Sequence, residues 1–317
     1  MMSDSLASLR RKIEGARDLR SVVSTMKAMA AASIGQYQRS TRALDDYYRA
    51  VQLGLSVCFR TGMLSSFVSP VTGQEVNPWG NVTGAVVFGS DQGLVGRFNE
   101  VIADYAIQTL AALPGKTRVW VTGERVYDRL ADTGMHVDLQ VAGLFTVPLS
   151  VKGITPLVGR ILMETLMPSL GEGEARRARR DKDGIAQLYL FYNSSRSGAI
   201  YAPVHQRLLP LDDAWRRELA GIPWPTNKLP EVMGSGEATL HALIREYLLV
   251  SLFRACAESL ASENASRLAA MERAEKNIDQ LSADLQQSFY RLRQSNIDEE
   301  LFDVIAGVEA LAGRISS

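Results

Sequence analysis

The sequence predicts an α/β protein in which a helix at each end of the chain pairs with the other as a long antiparallel coiled coil, with a sheet domain between them. Three observations lead to this fold class. Apolar residues recur in steps of three or four along both ends of the 317-residue chain, which is the pattern of a coiled-coil seam. The composition then changes after Arg60, where a stretch rich in glycine, serine, threonine and proline begins. Beyond it, short apolar runs alternate with helical patterns, which is typical of a sheet covered by helices.

The N-terminal helix is predicted over residues 1–60. Gly15 and Gly35 lie inside it, and each weakens a helix by about 1 kcal/mol relative to alanine, which is too little to end it. Basic residues lie between the apolar positions. The apolar stripe consists of Leu6, Leu9, Ile13, Ala16, Leu19, Val23, Met26 and Ala30, and continues with Leu44, Tyr47, Val51, Leu55 and Cys58.

The C-terminal helix is predicted over residues 232–317 and is clearest from 262 to 311, where only Gly307 interrupts the pattern. Two narrow stripes at opposite ends of one chain can bury each other as an antiparallel hairpin, so the two helices are expected to form a rod. Two helices packed on an ordinary globular core are the alternative. The C-terminal stripe consists of Leu268, Met271, Ala274, Ile278, Leu281, Leu285, Phe289 and Leu292.

The middle of the chain is predicted to be a Rossmann-like sheet domain at 80–215, after a loop at 61–79 and before a linker at 216–231. The linker contains Pro223 and Pro225, which are incompatible with a helix interior. A basic run within 171–184 is interpreted as a solvated loop rather than a nucleic-acid patch, since no aromatic residues accompany it. The expected strands lie at 85–88, 117–122, 188–193 and 204–209, and the expected helices at 98–113 and 124–133.

The composition excludes several classes of protein. Lysine plus arginine and aspartate plus glutamate both total 35, so the net charge gives no general attraction to nucleic acid, although a basic face could meet an acidic protein surface. Two cysteines are too few for a disulfide framework, and three scattered histidines offer no metal-ligand spacing. We therefore expect no metal and no cofactor. The N-terminus has no signal-peptide pattern and no run is long enough to span a membrane, so we expect a cytoplasmic protein.

A glycine-bearing turn, GSDQGLVGRFN at residues 89–99, directly follows the first predicted strand. Such a turn can hold a phosphate on its backbone amides. This one lacks both the lysine of a phosphate loop and the Gly-x-Gly-x-x-Gly spacing of a dinucleotide site. The structural interpretation is a tight turn in which Ser90 and Asp91 cap backbone amides, with Gln92 and Gly93 completing it.

This turn closely resembles the GSDRGLCGGLN signature of the gamma subunit of F-type ATP synthases. Three further blocks are similar to that family, and together they cover essentially the whole chain. The chain departs from the family at several positions, with Gln92 in place of arginine and Asp298 where threonine or serine is usual, which indicates a divergent branch such as the N-type enzymes. With no chloroplast-type insert and no transit-peptide pattern, we expect a bacterial or archaeal origin. The matching blocks are TMKAMAAAS at 25–33, ASENASRLAAM at 261–271 and YRLRQ at 290–294.

The resemblance implies a central rotor shaft that couples proton or sodium flow to ATP synthesis or hydrolysis. The coiled coil would turn inside a ring of three alpha and three beta subunits, and the sheet domain would dock on the epsilon subunit and the membrane c-ring. The protein would then be peripheral, at the cytoplasmic face of the membrane. The chain has no Walker motif and no nucleophile–base pair, so it would be a non-catalytic subunit.

The resemblance also suggests which residues meet the beta ring. Lys27 and Arg293 could pair with carboxylates there, although solvated surface charge and, for Met26, burial in the seam are the simpler roles. The turn at Ser90–Gly93 would position the sheet domain against the helices or a partner. The expected contact zone consists of Met26, Lys27, Arg293, Gln294 and Asp298.

If Met26 faces Arg293 in the antiparallel pair, Cys58 lies near the level of Cys256, and the two thiols are expected to be neighbours. Two other functions stay open at this point. One is a nucleotide-binding α/β enzyme with helical flanks, and the other is a coiled-coil scaffold that does not rotate.

Overall fold

A computed structural model describes residues 5–61, 82–113, 115–133, 139–165, 185–196, 199–209, 213–228, 230–232 and 235–315. The six described helices are α1 (Leu6–Arg60), α2 (Phe98–Ala111), α3 (Glu124–Thr133), α4 (Val151–Thr165), α5 (Asp213–Ala220) and α6 (Gly236–Ile315). The five described strands are β1 (Val82–Phe88), β2 (Lys116–Thr122), β3 (Leu139–Phe145), β4 (Ile185–Arg196) and β5 (Ala199–Leu209). None of the described helices is long and apolar enough to cross a membrane.

The chain divides into two compact units, and both long helices contribute to each. The first unit combines Met1–Met29 with Leu268–Ser317, and the second is Ala30–Arg267. The helix segments of the first unit are antiparallel, since the partner number on α6 falls as the α1 number rises. Arg20 pairs with Asp279 at 2.7 Å, and Lys27 with Glu275 at 2.8 Å. Its buried seam is narrow and includes Leu9, Ala16 and Met271.

The second unit is built on a five-stranded sheet of order β3-β2-β1-β4-β5. The strands from β3 to β4 are parallel, and β5 runs antiparallel to β4. Strand β1 is buried on both faces, which explains the apolar run over its last four residues, 85–88. On one face, Val87 and Val121 pack against α2 and α3. On the other, the sheet shares a core with α4 and with the parts of α1 and α6 in this unit, including Phe88, Leu190, Ile161, Leu55 and Leu252.

The two long helices are also antiparallel within the second unit. Arg254 pairs with Asp45 at 3.3 Å, and the hydroxyl of Tyr47 donates to Glu246 Oε2 at 2.7 Å. Where Gly54 approaches Leu243, an added Cβ would lie 3.1 Å from the leucine side chain. The small residue therefore permits a close approach of the helices at this level.

This register corrects the expected pairing of the helices. Lys27 lies opposite Glu275, so the expectation that Met26 faces Arg293 is wrong. Cys58 and Cys256 are both buried free thiols. With Asp45 opposite Arg254, they are offset by about 15 residues, or roughly 22 Å along the helices. The expectation that they are neighbours is therefore wrong as well, because a repeat of three and four fits several registers equally well.

The structure confirms the fold class, a long antiparallel helix pair with a Rossmann-like sheet domain between the two helices in sequence. Elements β3, α4 and α5 were not predicted. Helix α5 occupies 213–220, so it overlaps the expected linker, and the predicted domain limits stay a prediction. Most of the predicted loop at 61–79, and the basic run within 171–184, lie outside the described residues.

Candidate functional site

The turn after β1 is held by bonds within the chain. The amide of Gly89 donates to Thr122 O at 2.7 Å, and the amide of Ser90 donates to Asn99 Oδ1 at 2.9 Å. The fully buried Ser90 hydroxyl accepts from Asn99 Nδ2 at 2.8 Å and donates to Gln92 O at 2.9 Å. Two amides that a phosphate would need are thus already occupied, which argues against the nucleotide-binding interpretation of this turn.

Asp91 uses both carboxylate oxygens on backbone amides from other parts of the sheet domain. Its Oδ1 accepts from the amide of Glu124, the first residue of α3, at 3.0 Å. Its Oδ2 accepts from the amide of Val147, which lies between β3 and α4, at 2.8 Å. A carboxylate at a helix N-terminus interacts favourably with the helix dipole. Asp91 therefore caps backbone amides, as predicted, but the two amides lie 33 and 56 residues away in sequence. The same prediction was wrong for Ser90, whose hydroxyl bonds the Asn99 side chain and the Gln92 carbonyl instead of a backbone amide.

Gln92 and Gly93, the other predicted members of the turn, make no comparable bonds to the described residues of the rest of the domain. Gln92 is exposed, and a Cβ added at Gly93 would meet nothing within 4 Å. Leu94 adopts a left-handed backbone with a φ of 62°, and its side chain is 60% exposed. This part of the turn therefore faces solvent within the second unit.

The sheet domain is tied to both long helices close to this turn. The hydroxyl of Ser266 on α6 donates to Val95 O at 2.6 Å, and Ser266 is 5% exposed. The hydroxyl of Tyr37 on α1 donates to Pro148 O at 3.4 Å, and Tyr37 is 3% exposed. Burial raises the pKa of Tyr37 to about 12, so this hydroxyl keeps its proton at neutral pH.

A buried ion pair on α6 joins residues on either side of Ser266 in sequence. Arg267 donates to Glu263 Oε1 at 2.7 Å, and the side chain of Glu263 is only 6% exposed. Burial raises the pKa of Glu263, the charge of Arg267 opposes that rise, and the charge of Asp91 adds to it. In the sequence, both residues stand out only as members of the family block at 261–271. Their spacing of four on a small-residue helix face was the signal that could have found them.

The expected ring-contact residues fall into two separate groups. Met26 and Lys27 are half-buried on α1, and a hydrogen bond from Lys27 to Glu275 raises the pKa of Lys27. Arg293, Gln294 and Asp298 are exposed on α6, where Gln294 Nε2 donates to Asp298 Oδ1 at 3.0 Å. Arg293 is 18 residues beyond Glu275, about 27 Å along the helix. The structure therefore does not bring the two groups together.

The rest of the described chain offers little for chemistry. No cluster of three His, Cys, Asp or Glu residues that could hold a metal occurs among the described residues. One cavity of about 220 Å³ lies between the long helices and strands β4 and β5. Arg254 and Glu258 lie on its wall, but they are already bonded to Asp45 and Ser194. The site is therefore best suited to holding structural elements together.

Comparisons with known proteins agree with this structural role. A family model described as ATP synthase matches residues 5–311. The ATP synthase gamma chain of Brevibacillus brevis is 26% identical over 318 residues, which cover 98% of this chain and 100% of the relative. The ATP synthase gamma chain of Mycobacterium sp. (strain KMS) is 25% identical over 314 residues and 98% of each chain.

Solved structures show the same fold. A chain of the Euglena gracilis mitochondrial ATP synthase, from the assembly of OSCP, F1 and c-ring, matches with a TM-score of 0.63 and 17% identity over 98% of this chain and 95% of that one. A chain of the rotor of the same enzyme matches with a TM-score of 0.60 and 17% identity over 92% of this chain and 98% of that one. The family match extends over nearly the whole sequence, including both long helices. The chain therefore belongs to the gamma-chain family of ATP synthase, the central rotor subunits of the F1 sector.

Proposed function

We propose that this chain is the central rotor shaft of an F-type ATP synthase, coupling proton or sodium flow through the membrane ring to ATP synthesis or hydrolysis at the beta subunits. The observation that carries the proposal is the family match over residues 5–311, which includes both members of the antiparallel helix pair. ATP chemistry then belongs to the partner subunits, and this chain supplies the helix pair that turns among them.

The proposed partners are three alpha and three beta subunits around the helices, and the epsilon subunit and c-ring at the sheet domain. The solved relative with the TM-score of 0.63 belongs to an assembly of OSCP, F1 and c-ring, which supports the c-ring as a partner. The complex would place this chain at the cytoplasmic face of the membrane as a peripheral subunit.

The C-terminal part of α6 supports contact with a surrounding protein surface. Five large apolar side chains there are between 44% and 68% exposed in the chain alone. Such a run of apolar surface on one helix is unusual on a free protein and favours a covered position in an assembly. The five residues are Ile297, Leu301, Phe302, Val304 and Ile305.

We propose that the expected contact residues meet the beta ring at two positions along the helices of the first unit. Arg293, Gln294 and Asp298 are exposed, so Arg293 could pair with a carboxylate of the beta ring, and Gln294 and Asp298, which are bonded to each other, could meet it with their remaining polar atoms. Met26 and Lys27 would meet the ring at the other position along the helices. There, Lys27 would contact the ring while it is still paired with Glu275. In the second unit, Gln92 is the member of the Ser90–Gly93 turn that is open to a partner.

The test is co-expression of the chain with alpha and beta subunits from the same genome. We expect a stoichiometric complex whose ATPase activity depends on this chain. Arg293→Ala and Gln294→Ala should lower that activity several-fold, whereas Arg49→Ala, an exposed arginine of α1 in the second unit, should leave it unchanged. A stable chain that binds nucleotide and joins no complex would favour the nucleotide-binding enzyme, and a complex with activity indifferent to this chain would favour the non-rotating scaffold.

A further inference from the structure

The sheet domain meets the two long helices at two separate docking points within the second unit. On α6, the buried Ser266 hydroxyl donates to Val95 O, at the end of the glycine turn. On α1, the buried Tyr37 hydroxyl donates to Pro148 O, in the segment between β3 and α4. Val95 and Pro148 belong to different connections of the sheet, so a direct bond between these two connections would join the two docking points.

Asp91 provides that contact. It lies in the same turn as Val95, and its Oδ2 accepts the amide of Val147, the residue before Pro148, at 2.8 Å. Its other oxygen accepts a hydrogen bond from the amide of Glu124 at 3.0 Å, so the same carboxylate also holds the start of α3. A hydrogen bond with an ionised acceptor is roughly twice as strong as a neutral one. One side chain therefore joins the α6 docking point to the α1 docking point.

We infer that Asp91 is a positioning residue for torque transfer, joining the two docking points so that the sheet domain and both long helices turn together. The inference rests on the proposed rotor function, and it adds which contact transmits torque between the sheet domain and the long helices. A rotor with a loosened joint would still let the partner subunits hydrolyse ATP. Less of that work would reach the membrane ring, because part of each step would be absorbed as movement between sheet and helices.

The test substitution is Asp91→Asn in the assembled, membrane-bound complex. An asparagine has one carbonyl oxygen and presents an N–H donor where the second amide needs an acceptor. At least one of the two bonds is then lost. We expect ATP hydrolysis to be little changed and the number of ions transported per ATP to fall several-fold. Amide hydrogen exchange should become faster at Glu124 or Val147.

The matched control is Asp104→Asn, which removes the charge of a half-buried carboxylate on α2 that pairs with Arg129 at 3.2 Å. It should keep the transport ratio of the unmodified chain. If Asp91→Asn prevents assembly, Ser266→Ala and Tyr37→Phe replace it, since each deletes one docking hydroxyl without changing charge. Each should lower the transport ratio in the same direction.

The outcomes separate this inference from the proposed function. An unmodified chain that forms no active complex would overturn the rotor function and the inference with it. An unmodified chain that couples normally, together with an Asp91→Asn complex of normal transport ratio and normal exchange, would overturn only the inference. The inference alone would also be overturned if Ser266→Ala and Tyr37→Phe both kept the normal number of ions transported per ATP.

Discussion

Gly123 follows β2 with a backbone φ of +107°, and a Cβ added there would lie 2.6 Å from the amide nitrogen of Ser90. Both the left-handed backbone and the close approach of the neighbouring turn require glycine. At Gly89, an added Cβ would lie 2.4 Å from Cγ2 of Val126. These two glycines let the turn, the end of β2 and the start of α3 pack closely enough for Asp91 to reach the amide of Glu124.

Replacing Gly123 with alanine should destabilise the protein by about 2–4 kcal/mol, since the strain of a positive φ adds to a backbone overlap. The measurement is urea unfolding followed by circular dichroism. Gly15→Ala is the control, because Gly15 lies inside α1 with nothing within 4 Å of an added Cβ. That change should stabilise the chain by about 0.5–1 kcal/mol. Equal effects at the two positions would contradict this account.

Lys27 and Glu275 give the first unit a predictable response to pH. The hydrogen bond and charge of Lys27 lower the pKa of Glu275 below its ordinary value of 4.5. A carboxyl group with a lowered pKa stabilises the folded state above its unfolded pKa, and this stabilisation is lost as the pH falls through the folded pKa. The pair is partly exposed, with side chains 36% and 23% accessible, so salt should weaken it.

The corresponding variant is Glu275→Gln. Its Tm should be below that of the unmodified chain at neutral pH, and the difference should vanish in acid, below the folded pKa of the carboxyl group. Thermal unfolding across a pH series measures this. Glu14→Gln, an exposed glutamate on α1, should show no such convergence. A constant Tm difference at all pH values would mean that the loss comes from packing and not from charge.

At the scale of the elements, the partner of each helix could be predicted but not the register. The apolar stripes indicated that α1 and α6 bury each other, and their positions at opposite chain ends required an antiparallel pair. The register depends on single contacts such as Lys27 with Glu275 and Gly54 with Leu243. Sliding one helix by a turn or more keeps an apolar residue opposite an apolar residue, so the stripes alone do not select among registers.

The register can be tested by thiol cross-linking. In a chain with Cys58→Ala and Cys256→Ala, the pair Lys27→Cys and Glu275→Cys should be joined by a short bifunctional reagent, because the native side chains approach to 2.8 Å. In the folded chain that keeps only its two native thiols, the same reagent should give no intramolecular product. A native Cys58–Cys256 product in the folded chain would show that the register is wrong.

The elements of the sheet domain also differ in how far the sequence predicts them. Strand β1 was predictable because the apolar run at 85–88 is typical of a central parallel strand, which is buried on both faces. Strand β3 and helix α4 were missed. Gly143 interrupts β3, and Gly153, Pro156 and Gly159 interrupt α4, so neither has a strong local pattern. The two form because Phe145, Ile154 and Ile161 are buried in the shared core, a contact that local pattern does not reveal.

At the scale of the whole molecule, the two units differ in how much they bury. The second unit contains both hydrophobic cores, on the two faces of the sheet. The first unit is a helix pair whose buried seam is narrow, and its stability depends on that seam and on partly exposed ion pairs. Segments with few buried apolar contacts open at lower free energy than a domain core.

Hydrogen exchange on the free chain should therefore divide α1 in two. Peptides from 5–29 should exchange faster than peptides from 30–60, although both belong to one continuous helix. Peptides from β1 are the internal reference for the slowest exchange. In the complex with alpha and beta subunits, protection of 5–29 should rise towards that of 30–60. Uniform protection along α1 in the free chain would contradict the division into two units.

The sequence by itself determined the two long helices, their antiparallel pairing, the sheet domain between them and the family. These depend on periodic burial and on short motifs, which are local properties of the chain. Only the tertiary structure decided the register of the helices, the strand order, the two partners of Asp91 and the burial of Glu263 beside Arg267. The physical reason is that each of these depends on contacts between residues far apart in sequence, where many arrangements satisfy the same local pattern and packing selects one of them.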